Sequence, residues 1–252
     1  MTLAANPIQP SDPLDLDALN SLFESADPAK IVEWSAAQFG DELLMSSSFG
    51  AESAMLIHLA IQRRPDIRIV FVDTGYLFPE TFAHLDALRT RFDLNVRIYR
   101  TLNDPLGYLQ RAGEDELDWR KNIDRCCAEN KNEPFDRAMR ELAPKGWLRG
   151  IRRNQADTRK ARQFIEWSPR YRCYSVSPLL NLSTKDIFGY MKRHDLPYHP
   201  LYDQGYLSIG CNPLSCTRPV TIGDDPRSGR WAGSSKVECG LNVDVTPPAA
   251  RP

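Results

Sequence analysis

Glu42-Leu-Leu-Met-Ser46, Ser47-Ser-Phe-Gly-Ala-Glu-Ser53 and Arg68-Ile-Val-Phe-Val-Asp73 decide the fold. The first reads as a short apolar strand and the second as a turn rich in serine. A helix follows from about Ala51 to Gln62, and the third stretch is a buried strand ending in Thr74-Gly75. Pro79-Glu80 opens a helix that runs toward Phe92, and Asn95-Val-Arg-Ile-Tyr99 is a third strand. Trp147-Leu-Arg-Gly-Ile151 and Cys173-Tyr-Ser-Val176 make a fourth and a fifth. Strands alternating with helices predict an α/β protein with a mostly parallel sheet. In such sheets ligands bind beyond the carboxyl ends of the strands.

Outward from this centre, Asp27-Pro28 is a helix cap and first turn, and Gly40 is the stop. Ile31, Trp34 and Phe39 supply an apolar face between them. Ser183-Thr-Lys-Asp186 starts a helix through Met191 with a capping-box pattern. Residues 1–12 are Pro-rich and read as loose. The expected organisation is one α/β domain over 1–221 and an irregular, mobile C-terminal tail over 222–252.

The chain has 252 residues, 42% hydrophobic and 26% charged, which suits a folded chain. Its formal net charge of -1 gives no global attraction to nucleic acid or to a membrane surface. The N-terminus lacks a basic segment followed by an apolar one, and no apolar run spans a bilayer, so a cytoplasmic location is expected. In a reducing cytosol, cysteines bind metal or react more often than they form disulfides.

Three loops fall at predicted strand ends. Ser47, Ser48, Gly50 and Ser53 lie where a helix N-terminus offers backbone N–H groups to an anion, or they form a plain Ser-rich cap. Thr74 and Gly75 end the next strand and line a pocket there or simply turn the chain. Arg149, Arg152, Arg153, Arg159, Lys160 and Arg162 crowd one stretch. Guanidinium forks match phosphate and sulfate oxygens, so Arg152 and Arg153 are read as an anion clamp.

Five of six cysteines form a pattern. Cys126 and Cys127 are adjacent, and Cys211 and Cys216 follow far downstream. Four thiolates suit an iron–sulfur cluster or a structural zinc, although the paired Cys-x-x-Cys of a zinc ribbon is absent. Cys173 sits in an apolar strand and reads as a core residue. Cys239 lies near Arg227, Arg230 and Lys236, where positive charge favours a thiolate.

These segments in order closely resemble the assimilatory adenylyl-sulfate (APS) reductases of the wider APS/PAPS reductase family. The carrying stretches also include Asp73-Thr-Gly-Tyr-Leu-Phe-Pro-Glu80, Cys216-Thr-Arg-Pro219, Gly229-Arg-Trp-Ala-Gly233 and Glu238-Cys-Gly-Leu241, and the match runs over roughly residues 40–242. The resemblance implies a Rossmann-like adenine-nucleotide alpha-hydrolase fold and reduction of APS to sulfite and AMP in sulfate assimilation. It implies that Cys126, Cys127, Cys211 and Cys216 bind a [4Fe–4S] cluster and that Cys239 is the nucleophile. Lys131 would sit between cluster and substrate, and Arg227 and Arg230 would reach the substrate's anionic groups. Thioredoxin or a similar dithiol would be the reductant, and homo-oligomerisation is compatible with the resemblance.

Two departures stand out. Four residues separate Cys211 from Cys216 where the family has two, and Asn242 replaces the family's histidine. The nearest alternative is a reductase for the 3′-phosphorylated nucleotide PAPS. A more distant one is an ATP pyrophosphatase, whose Ser-Gly-Gly-x-Asp-Ser loop differs at Phe49 and Glu52. The third is a metal-binding module without catalysis.

Overall fold

A computed structural model describes residues 14–102, 119–212, 216–221, 225, 227–232, 234–236, 238 and 240–242. The Pro-rich residues 1–12 and Cys239 lie outside that set. The strands are β1 (Leu43–Ser46), β2 (Arg68–Asp73), β3 (Val96–Arg100), β4 (Gly146–Leu148), β5 (Ile165–Ser168) and β6 (Cys173–Val176). They form one sheet in the order β3-β2-β1-β4-β6-β5. Every neighbouring pair is parallel except β5 with β6.

The chain moves from β1 to one side of the sheet for β2 and β3, then returns to the other side for β4. The topological switch therefore lies between β1 and β4, where a crevice opens beyond the strand ends. Leu43 and Met45 of β1 face the larger core, with Ile57 of helix α3 (Ser53–Ile61) and Leu88 of helix α4 (Pro79–Phe92). Leu44 faces the opposite side, against Val70, Phe135, Ala138 and Met139. The two-residue side-chain period of a strand thus divides the interior in two, as both-face burial of a parallel sheet requires.

The strand readings hold closely. β2 and β6 match residue for residue, and β4 ends at Leu148 rather than Ile151. The helix Pro28–Phe39 is capped by Asp27, whose Oδ1 accepts from the Ala29 N–H at 2.8 Å. In helix Thr184–Arg193, both halves of the Ser183–Asp186 capping box form. Three parts of the fold escaped the sequence reading. One is helix Leu16–Phe23, capped by Asp15. Another is the antiparallel edge strand β5. The third is a helix pair, Trp119–Cys127 and Glu133–Leu142, joined by the π-helical segment Ala128–Asn132. Such π segments shift side chains out of the α register and recur at functional sites. Among the described residues, no helix is long and apolar enough to cross a membrane.

Gly146 is a packing requirement. A Cβ built there would lie 2.3 Å from the Phe39 ring. Gly146→Ala is expected to cost about 1–3 kcal/mol through overpacking. A urea titration should show a lower midpoint with an unchanged slope.

Candidate active site

A cavity of about 510 Å³ opens at the switch point. That size suits a small organic ligand. Its walls include the loop after β1, the stretch after β4, the end of β2 with Thr74, Lys131, residues 207–211, and Arg227, Arg230, Trp231, Glu238 and Leu241 near the C-terminus.

The first wall is strained. Phe49 has φ 48 and is fully buried, with its ring edge-on to Phe71 at 5.3 Å. A side chain in the left-handed region is costly, and packing under the sheet offsets that cost. The turn is closed by Ser47 Oγ, which accepts from the Phe49 N–H at 3.1 Å, and by Ser53 Oγ, which donates to Gly50 O at 2.8 Å. Helix α3 begins directly after it with no side-chain cap from Glu52. The Ser53 N–H donates to Gly50 O at 3.1 Å, and the N–H groups that follow it in the first turn are, among the described residues, left to a ligand or water. Ser47, Ser48 and Ser53 line the cavity, whereas Gly50 serves the turn.

The second wall is cationic, but most of its charge is matched by carboxylates. Arg149 pairs with Glu166 and donates to Ser177 Oγ at 3.0 Å. Arg152 pairs with Glu52, and its Nη1 donates to Leu182 O at 3.2 Å. The Arg152 Nε is buried without a hydrogen-bond partner among the described residues. Arg159 Nε and Nη2 hold both oxygens of Glu238 at 2.6 and 3.0 Å, and Arg227 reaches the same carboxylate at 3.4 Å. Arg230 differs. It donates to Cys216 O at 3.2 Å and Ile209 O at 3.3 Å, lies over the Trp231 ring at 4.6 Å, and has no carboxylate partner among the described residues.

A second, smaller cavity of about 20 Å³ adjoins the first. Cys126, Cys127, Cys211 and Cys216 all line it, with Asn130, Ile123 and Tyr76. Short antiparallel bridges, Leu77 to Cys211 and Thr217 to Arg230, bring the downstream cysteines to the helix pair. Asn130 Nδ2 donates to Cys126 Sγ at 3.6 Å, and Thr74 Oγ1 lies 3.3 Å from Cys211 Sγ. Burial, reinforced by the neighbouring cysteines, pushes the Cys126 thiol up to about 11 and the Cys216 thiol up to about 12. Among the described residues, no group of three His, Cys, Asp or Glu side chains is arranged to hold a metal ion. Thr74, Lys131, Cys211, Arg230 and Trp231 line both cavities and form the partition between them.

The model of the phosphoadenosine phosphosulfate reductase domain matches residues 42–219, a span that carries the sheet, both cysteine pairs and most of the cavity. This chain belongs to that family. Among its relatives, a phosphoadenosine 5′-phosphosulfate reductase of Gloeobacter violaceus is 39% identical over 96% of this chain and 99% of its own. An adenosine 5′-phosphosulfate reductase of Salinibacter ruber is 36% identical over 90% and 88%. A solved phosphoadenylyl-sulfate reductase of Candida auris superposes with a TM-score of 0.69 at 25% identity, covering 80% of this chain and 97% of that one. The fold is also that of an FMN adenylyltransferase of Candida glabrata, at a TM-score of 0.58 and 16% identity. The architecture is therefore the Rossmann-like adenine-nucleotide alpha-hydrolase fold, and the protein is an enzyme of a sulfur-group oxidoreductase family.

Within this reductase, the expected site residues separate into two groups. Ser47, Ser48, Ser53, Thr74, Lys131, Arg152, Arg227 and Arg230 line the larger cavity. Gly75 instead sets the turn, with φ 77 and its N–H on Asp73 Oδ1 at 3.0 Å. Arg153 does not join them. It turns to the opposite side, onto Glu24 at 3.1 Å and over the Phe164 ring. Residues 213–215, where the Cys211–Cys216 loop is longer than usual, lie outside the described set. Cys173 is fully buried in β6, as expected of a core thiol. Arg149, Arg159, Glu52 and Glu238 were missed as site residues; only the crowding of arginines after β4 pointed toward the first two. Arg153→Ala should leave turnover of the sulfonucleotide within about twofold, because its ion pair is a surface one. A drop in kcat/KM as large as that of Arg152→Ala would contradict the orientation described.

Proposed function

We propose that this reductase converts adenylyl sulfate to sulfite and AMP. The observation that carries the reading is the docking of Glu238, the residue before Cys239 in the sequence, in the cationic wall of the nucleotide-sized cavity. The Cys239 thiolate attacks the sulfur of APS, the S–O bond to the AMP phosphate breaks, and the enzyme carries Cys239–S–SO₃⁻. Arginine and lysine side chains stabilise the departing phosphate. A thiolate of thioredoxin, or of a similar dithiol, then attacks Cys239 sulfur and expels sulfite with the bonding electron pair. The second thiol resolves the mixed disulfide, so the dithiol supplies both electrons.

The cysteine cavity fits a [4Fe–4S] cluster. Burial holds Cys126 and Cys216 as neutral thiols, so holding these two as thiolates requires a positive centre beside them. All four cysteines line one small cavity, as the ligands of a single cluster would. Cys126, Cys127, Cys211 and Cys216 would hold it, with Asn130 and Thr74 as polar partners of the sulfurs. When bound, it supplies a fixed charge distribution beside the sulfate end of the site. Lys131 and Arg230, on the partition, orient the sulfonucleotide there.

PAPS is the second candidate substrate, since relatives carry both names. The test is sulfite release from each nucleotide by anaerobically purified protein with thioredoxin, together with iron and acid-labile sulfide content. APS turnover with about four irons per chain is the expected result. Cys126→Ser should lose iron and activity together. Full activity of that variant without iron would overturn the cluster assignment, and turnover of PAPS alone would overturn the substrate.

A further inference from the structure

The C-terminal stretch is fastened at two points that flank one residue. On one side, Glu238 is buried in the grip of Arg159 and Arg227. On the other, the Gly240 carbonyl accepts from Arg170 Nη1 at 3.0 Å. Arg170 is itself fixed, because its Nη2 donates to Asp136 Oδ2 at 2.7 Å and its guanidinium lies over the Tyr171 ring at 5.2 Å. A third contact is steric. A Cβ at Gly240 would lie 2.3 Å from Asn132 Nδ2, so the backbone there rests directly on the π-helical segment. Leu241 then packs with Phe135 and with the Ile123–Trp231 cluster.

We infer that Arg159 and Arg170 are positioning residues that dock the C-terminal segment on the body at positions 238 and 240. The docking stands on these contacts alone. Its consequence, that Cys239 is presented to the nucleotide in the first half-reaction and freed for the dithiol in the second, rests on the reaction proposed above. The two anchors also differ in what they report. Arg159 lines the nucleotide cavity, so its loss mixes docking with binding. Arg170 does not line the cavity, and among the described residues it bonds the segment and its own support, which makes it the clean probe.

The test uses full-length Arg170→Lys and Gly240→Ala. Lysine keeps a positive charge for Asp136 but has no rigid fork to span both acceptors. Gly240→Ala acts from the tail itself, so unfolding of the body does not complicate it. Two quantities are read: the rate of proteolytic cleavage within 232–242 at low protease, and the single-turnover rate of Cys239 sulfonation at saturating nucleotide. Both variants should be cleaved about tenfold faster and sulfonated about tenfold more slowly, the loss expected for one charge-assisted hydrogen bond. Nucleotide KM should stay within about twofold. Sulfite release from enzyme already sulfonated should not slow. Unchanged cleavage and sulfonation in both variants would overturn the inference, as would a raised KM with an unchanged rate. If wild-type protein forms no adduct with either nucleotide while both variants still expose the segment, the docking stands and the proposed reaction falls.

Discussion

Cys239→Ser should abolish sulfite release, by about 10³-fold or more, while nucleotide binding stays within about threefold. A serine hydroxyl is not ionised near neutral pH, and the reaction needs an anionic nucleophile able to form and later surrender a bond to sulfur. The larger cavity is lined by other residues, among them Ser47, Ser48, Arg152 and Arg230, and these are untouched by the change. Glu238 and Gly240 keep their anchors, so the segment remains docked. Equilibrium binding of AMP or APS and a turnover assay separate the two effects. A variant that retained a tenth of wild-type turnover would remove Cys239 from the mechanism.

Arg230→Ala is the second large effect. Arg149, Arg152, Arg159 and Arg227 each share their charge with a glutamate. Among the described residues Arg230 meets two backbone carbonyls and the Trp231 ring and no carboxylate, so its positive charge is left for the ligand. Its position is enforced by close packing, since a Cβ at Gly210 would lie 2.2 Å from Arg230 Nη2. A hydrogen bond to a charged group contributes about 1.5–3 kcal/mol, which corresponds to a loss of about 10- to 100-fold in kcat/KM. Arg230→Lys should recover only part of this, because an ammonium lacks the planar fork. Lys160→Ala is the matched control. Lys160 is exposed and paired with Asp157 at 2.7 Å, and its loss should change kcat/KM less than about twofold. Equal effects at the two positions would mean that net charge, rather than the placement of Arg230, drives binding.

Local patterns made much of this legible. The apolar run Arg68–Asp73 and the Pro79-Glu80 helix start specify their own conformations, and both elements match their expected limits. The capping box at Ser183 is likewise a local hydrogen-bond exchange. β5 was missed for a physical reason. It is a four-residue edge strand with Trp167 turned outward, so its apolar content does not alternate cleanly. The helix Leu16–Phe23 was passed over beside a Pro-rich start. Arg152 and Arg153 show the limit of reading charge runs. Backbone at φ -134, ψ 147 sends successive side chains to opposite sides, so one lines the cavity and its neighbour faces Glu24. Arg159 and Arg170, which hold Glu238 and Gly240, are 79 and 70 residues away in sequence, and no local motif announces them. The cysteine grouping was foreseen because its residues carry chemistry that few other patterns share, and the fold brings all four to one cavity.

The most direct measurement is the mass of the C-terminal peptide after anaerobic protein is mixed with APS in the absence of any dithiol. The account predicts one SO₃ group on Cys239, formed together with one AMP per chain and discharged as sulfite when thioredoxin is added. Release of AMP with Cys239 unmodified, or an SO₃ group on any other cysteine, would contradict it.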